Sequence, residues 1–271
     1  MSKEELLPNE DIASYERITK YQRKIGSLLY TAVITRPDVA FAVSRLSRFM
    51  TNPGPKHHEG ADRVLHYLKG TRSLALQYGQ DDHFRVASDA SFADNSIDRK
   101  SSQAYAMKLF GGLIGWRASK QETVTTSTTE AELLALSQAS KEALFVSRLI
   151  KELKIKLDDN HIRIGCDNKQ TIRLVTEEIA TLQTKLRHVD IHNHWLRQEV
   201  QNGMISVEYT ESAKMMADGL TKALQNNDFL RFVEHMNLRD IRHLLSKKRE
   251  LDLRELELET EKLYPGHDKD G

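Results

Sequence analysis

The sequence predicts an α/β fold: a mixed five-stranded sheet with helices on its faces, preceded by a small helical region. Three observations carry this. HFRVASDAS, QAYAMKLF and LIGWRAS alternate apolar and polar residues at the strand period and follow one another closely. A long helical periodicity occupies about 128–153, after which strand-like and helix-like segments alternate. Residues 1–75, by contrast, carry helix signals only.

In that first region RKIGSLLYTAV meets a break at Arg36-Pro37, and PDVAFAVSRLSRFM begins on Pro37, whose fixed φ and missing amide suit a first helical position. A second break, TNPGP, precedes HHEGADRVLHYLKGT, where Ala61, Val64, Leu65 and Leu68 recur at helical spacing. The texture changes near Leu76. The three alternating segments are joined by NSIDRKSS and by Gly111-Gly112, as in an antiparallel meander. HIRIGCD reads as a further strand because Ile162 and Ile164 share one face. A brief helix at 168–177, a helix at about 186–201, the strand MISVEYT and a last helix from Ala213 follow. RHLLSKKRELDLRELELETEKLY then combines paired charges with leucines three or four apart, the pattern of a solvated helix or a partner-facing tail. The expected divisions are 1–75, 76–236 and 237–271.

Composition narrows the function classes. With 271 residues and 39% hydrophobic content the chain can bury a sizeable core. Forty basic against 39 acidic residues leave no global basic field, so any nucleic-acid surface must be local. The start, MSKEELLPNED, has no apolar core, and no run approaches the roughly 18 apolar residues of a membrane span, so no membrane partner is expected. A single cysteine, Cys166, excludes an internal disulfide and any cysteine-based zinc cage; it fits a reducing compartment, cytoplasmic or nuclear.

Acids gather where strands stop. Asp89 follows HFRVAS, Asp167 follows HIRIGC, and Asp218 opens the helix after MISVEYT. Sites in open α/β sheets concentrate beyond strand ends. Glu130 and Glu132 stand at the mouth of the long helix, whose apolar stripe runs Leu136, Ala139, Ala143, Val146, Ile150 and Leu153. Extended back by four, the stripe reaches Glu132, so Glu132 points inward. Glu130 stands three residues after Ser127, the spacing of a capping box. Any one of these acids alone is equally the mark of a cap. Four together cannot share a pocket without cations, and an all-carboxylate set favours Mg²⁺ or Mn²⁺; two ions about 3.5–4 Å apart are the usual arrangement for phosphodiester cleavage.

These residues also carry a resemblance. ASDASFAD, DRKSSQAY, GGLIGWRASKQETVTTSTTEAELLALSQASKEA, IGCDNKQTI, LRHVDIHNHWLRQEV and MMADGLTKAL together resemble the ribonuclease H domain of copia-type LTR retrotransposon polyproteins. YQRKIGSLLYTAVITRPDVAFAVSRLSRFM with HHEGADRVLHYLKGT is similar to the segment linking reverse transcriptase to that domain. The resemblance covers about residues 18–236. It implies a ribonuclease H-like fold and hydrolysis of the RNA strand of RNA–DNA hybrids with two Mg²⁺ ions. It also implies Asp89, Glu132, Asp167 and Asp218 as the catalytic, metal-holding acids, with Glu130, the first glutamate of TEAE, as the alternative to Glu132. YTESAKMMAD lacks the histidine that many ribonucleases H carry before the last acid, which leaves His188 as the nearby candidate for a related role. Ala104 stands where the family usually has glycine. The chain has no Y-x-D-D motif, so copying nucleic acid would need a separate reverse transcriptase polymerase portion as partner.

Hybrid recognition calls for phosphate contacts and 2′-hydroxyl contacts. Arg99 and Lys100 in the first hairpin, and Lys120 with Gln121 before the long helix, are candidates for the former; Asn168 is a candidate for the latter or a helix cap. Trp116 and Trp195 read as packing residues, and Cys166 as a small buried hydrophobe. The competing reading is a catalytically silent, retroelement-derived nucleic-acid-binding or interaction module.

Overall fold

The computed structural model describes residues 6–79, 81–177, 184 and 186–246. Helix α1 (Tyr15–Ile34) starts at Ser14, whose hydroxyl accepts the Arg17 amide, and buries Tyr21, Ile25, Leu28 and Ala32 at the spacing of one helical face. Pro37 opens a 3₁₀ turn leading into α2 (Ala40–Leu46), and Pro55 stands at the first position of α3 (Pro55–Gly70), so both prolines start helical segments.

The meander forms as its alternation requires. Strands β2 (His83–Ser91), β3 (Ser102–Leu109) and β4 (Gly112–Lys120) pair antiparallel, with Asp89 opposite Ala104. Phe110 and Gly111 both take positive φ, 52° and 76°, giving the tight β3–β4 turn the backbone twist that hairpins favour. Helix α4 (Thr128–Glu152) crosses to β5 (Asp159–Cys166), which lies parallel to β2. After α5 (Lys169–Thr176) and α6 (Arg187–Gln201), β6 (Ile205–Tyr209) adds parallel to β5. The sheet order is β4-β3-β2-β5-β6, the mixed five-stranded arrangement of a ribonuclease H-like fold.

Each face of the sheet carries its own core. On one, Leu133, Leu136, Ala139 and Ala143 of α4 and Val189 and Leu196 of α6 pack on Val86, Ile162 and Ile164. On the other, α1–α3 share a core with Ala87, Ala104, Ala106 and Leu113. Polar ties cross the second interface: the Trp116 indole donates to the Ala32 carbonyl at 2.7 Å, and Arg45 meets Asp94 at 2.5 Å while Asp94 also accepts from the Ser102 amide and hydroxyl.

Two expectations change. The single last helix from Ala213 is instead a 3₁₀ turn (Ser212–Lys214), a four-residue α7 (Asp218–Thr221) and α8 (Asn226–His235). The chain bends because Met215, Ala217 and Leu220 all turn into the core, and Gly219 lies so close to the Phe232 ring that a Cβ there would stand 2.6 Å from it. A second, two-stranded sheet was also not foreseen: β1 (Leu74–Leu76) pairs antiparallel with β7 (Leu238–Asp240). The stripe of α4 holds as far as Ile150, whereas Leu153 lies past the helix end and is exposed. Of the charged tail, residues 247–271 lie outside the described residues. No helix among the described residues is long and apolar enough to cross a membrane.

Candidate active site

Parallel pairing of β2 with β5 sets Ala87 opposite Gly165, so Asp89 and Asp167, each two residues further on, reach the same edge of the sheet. Helix α4 begins over that edge, and its inward stripe brings Glu132 down onto it. One carboxylate oxygen from each of Asp89, Glu132 and Asp167 lies within 4.8 Å of the others. Asp89 and Glu132 are 4% and 5% exposed, and Asp167 is half-buried.

Asp89 and Glu132, buried and close to other carboxylates, resist ionisation. Burial raises Asp89 to about 6, with repulsion from Asp218 and Asp167 adding and the Thr221 hydrogen bond opposing. Burial pushes Glu132 to about 9, helped by repulsion from Asp89 and Asp167. Glu132 Oε1 accepts the Ala90 amide at 3.3 Å, but its Oε2 is buried without a hydrogen-bond partner. An orphaned buried oxygen among hard oxygen donors is what a divalent cation satisfies, and the trio is compatible with one.

Asp218 stands outside the trio. Its carboxylate opens α7 and ion-pairs with Lys222. Burial raises its pKa against the opposing Lys222, and its charge is felt at Asp89. Neighbouring hydroxyls hold Asp89 and Asp167. Thr221 Oγ1 donates to Asp89 Oδ2, and Ser212 donates to Asp167 Oδ2 at 2.8 Å. Sequence reasoning passed over Thr221, Ser212 and Lys222. Thr221 and Lys222 lie inside the MMADGLTKAL segment, but nothing in a hydroxyl or a lysine announces which acid it will meet.

Glu130 is the structural member of the opening pair. Its Oε2 accepts the Thr126 amide at 2.6 Å and hydroxyl at 2.8 Å, while Ser127 Oγ accepts the Glu130 amide at 3.2 Å. Burial acts to raise its pKa, yet hydrogen bonds from Thr184, Thr126 and Ser127 prevail and hold it below the usual range.

The nucleic-acid candidates are spread over three loops and helix starts. Arg99 is exposed at the β2–β3 turn, the Lys100 amide donates to Asp98 Oδ1 at 3.1 Å, and Lys120 pairs with Asp98 Oδ2 at 2.6 Å. Gln121 is buried, its Nε2 donating to the Ala131 carbonyl at 2.8 Å beneath the start of α4. Asn168 caps α5, accepting the Thr171 amide at 3.0 Å, and His188 is exposed at the start of α6. Cys166 is fully buried beside the acids, and burial pushes its thiol up to about 12.

A mixed five-stranded sheet with acids converging where its two central parallel strands end defines a ribonuclease H-like domain. The chain is 36% identical over 210 residues, 77% of its length, to the retrovirus-related Pol polyprotein from transposon TNT 1-94 of Nicotiana tabacum. It is 33% identical over 222 residues, 81% of its length, to that from transposon RE1 of Arabidopsis thaliana. It belongs to the retrovirus-related Pol polyproteins of copia-type transposons. It spans only 16% and 15% of those two relatives. A shorter relative, secreted RxLR effector protein 161 of Plasmopara viticola, is 40% identical over 129 residues, 47% of this chain and 91% of its own. Among solved structures, foamy viral protease-reverse transcriptase in complex with RNA/DNA hybrid aligns over 71% of this chain and 25% of its own, at 11% identity and TM-score 0.42. RNase H1 of Halobacterium salinarum aligns over 47% and 85%, at 13% and 0.33. No protein-family model matches the chain.

Proposed function

We propose that this chain is the metal-dependent endonuclease of a copia-type polyprotein and hydrolyses the RNA strand of RNA–DNA hybrids. The observation that carries the reading is the trio of Asp89, Glu132 and Asp167 within 4.8 Å, two of them buried. Asp89, Glu132, Asp167 and Asp218 would hold two Mg²⁺ ions, with Mn²⁺ as a substitute, and the ions would supply an activated water and charge stabilisation at the leaving 3′ oxygen.

The chain's own groups position the rest. Thr221 and Ser212 fix the carboxylates of Asp89 and Asp167, so that their oxygens face the pocket without reorganisation. Arg99, Lys100 and Lys120 offer charge to the backbone of the hybrid from the β2–β3 side. Asn168, next to Asp167, offers an amide to a 2′-hydroxyl, and His188 stands at the neighbouring helix start. Gln121 serves the site indirectly, by tying the loop before α4 to Ala131. The helical region of 1–75 would seat a polymerase portion against the domain of 76–236. The reading sets the protein inside the cell, in cytoplasm or nucleus.

Incubation with hybrids labelled on one strand at a time tests this: RNA cleavage in Mg²⁺ with the DNA left whole is expected. Tight hybrid binding with no cleavage would favour the silent module instead.

A further inference from the structure

We infer that Lys222 is a built-in counter-ion of the acidic pocket: its ammonium holds Asp218 while the pocket is empty of metal and swings away when divalent cations load. The inference rests on the metal reading above and concerns how that site is kept folded and then filled.

Among the described residues Lys222 is the only cation ion-paired with any of the four acids. It caps the C-terminus of α7 in an extended conformation, and its ammonium reaches back to the Asp218 carboxylate four positions earlier. Its charge reaches beyond its partner: Asp89, Asp167 and Glu132 all feel it. One positive charge cannot neutralise four carboxylates: Glu132 Oε2 is buried without a hydrogen-bond partner, and so is Asp218 Oδ1, which Lys222 meets as an ion pair only. A divalent cation supplies more charge in less volume and makes the ammonium redundant and repelled.

Room for the departure is already present. The Lys222 side chain is half exposed and lines a cavity of about 630 Å³ between α2, α3 and the start of α8. Phe41, Val64 and Phe229 give that cavity apolar wall for the methylene stem, and Glu59 lines it as an alternative partner for the ammonium. The same side chain thus meets the acid pocket through its ammonium and also lines the cavity.

The test measures Mn²⁺ binding by calorimetry, and thermal midpoints with chelator and with saturating Mn²⁺, on the full chain. Lys222→Met is expected to bind Mn²⁺ about tenfold tighter than the parent. Its midpoint should fall in chelator and return to the parent's in Mn²⁺. Lys222→Gln should behave likewise, Lys222→Arg should stay within about twofold of the parent, and Lys56→Met, another lysine lining the cavity, should match the parent. Unchanged or weaker Mn²⁺ binding by Lys222→Met and Lys222→Gln, with the parent binding normally, overturns the inference alone. Failure of parent and variants alike to bind Mn²⁺ removes the metal reading and the inference with it.

Discussion

Thr221 donates its hydroxyl hydrogen to Oδ2 of Asp89 across 132 positions of chain, joining the four-residue α7 to the central strand of the sheet. The same hydroxyl lies 3.0 Å from the Asp218 carbonyl, so the bond also fixes where the turn bearing the fourth acid sits. Replacing it by Thr221→Val keeps the shape and removes the donor. Because this bond lowers the Asp89 pKa, the variant should titrate Asp89 at higher pH. Chemical denaturation should show a loss of about 1–3 kcal/mol at neutral pH, the usual cost of an unsatisfied buried group. An unchanged midpoint would mean that Asp89 does not depend on Thr221.

The pH dependence of the metal-free protein has a definite sign. Asp89 at about 6 and Glu132 at about 9 both lie above their ordinary values. The folded state therefore holds protons that the unfolded chain has released, and stability falls as pH rises from about 4 through these values. Urea midpoints in chelator should decline from pH 5 to 9, and Glu132→Gln should lose Glu132's share of the slope. Saturating Mg²⁺ should remove most of the decline in the parent. A parent midpoint as steep with Mg²⁺ as without it would contradict this.

Glu130 and Glu132 should part company under the same substitution. Glu130→Gln weakens the cap at the start of α4 and should cost about 0.5–2 kcal/mol of stability while hydrolysis survives. Glu132→Gln should abolish hydrolysis. Loss of turnover in folded Glu130→Gln would reverse the assignment.

The helical region and the sheet should unfold together, since both contribute to one core. Asp38 offers a probe: buried, it accepts from Arg36 Nε at 3.0 Å, Arg36 Nη2 at 2.7 Å and the Tyr67 hydroxyl at 2.7 Å. Asp38→Ala strands a buried guanidinium and should cost about 3–5 kcal/mol. Circular dichroism and the fluorescence of Trp116 and Trp195, one packed on each core, should move together in a single transition; two separated transitions would show independent units.

Periodicity alone recovered much of this architecture. The alternation of β2, β3 and β4 and the stripe of α4 are long signals, and the stripe was enough to separate Glu132 from Glu130. Where the chain answers to distant partners, local pattern fails. β1 and β7 are three residues each and are strands only because each finds the other. The bends around α7 follow from burial of Met215, Ala217 and Leu220 rather than from any break residue before Met215. Within the site, the strand-end acids were legible by type and position. The hydroxyls and the lysine that set their charge were not, because their partners lie on other elements or in a turn whose geometry the tertiary fold imposes. Gln121 shows the converse: a polar residue in a loop reads as a surface contact until the fold buries it.

The claim at the centre is that Asp89, Glu132 and Asp167 act as one metal-holding unit. Cleavage of an RNA–DNA hybrid by the purified chain in Mg²⁺, measured beside Asp89→Asn and Glu132→Gln with folding checked for each, tests it most directly. The account predicts RNA-strand cleavage by the parent and a loss of about 10²–10³-fold or more in both variants, the scale of removing an essential electrostatic group. Cleavage retained by either folded variant, or a parent that binds hybrid and Mg²⁺ without cutting, would contradict it.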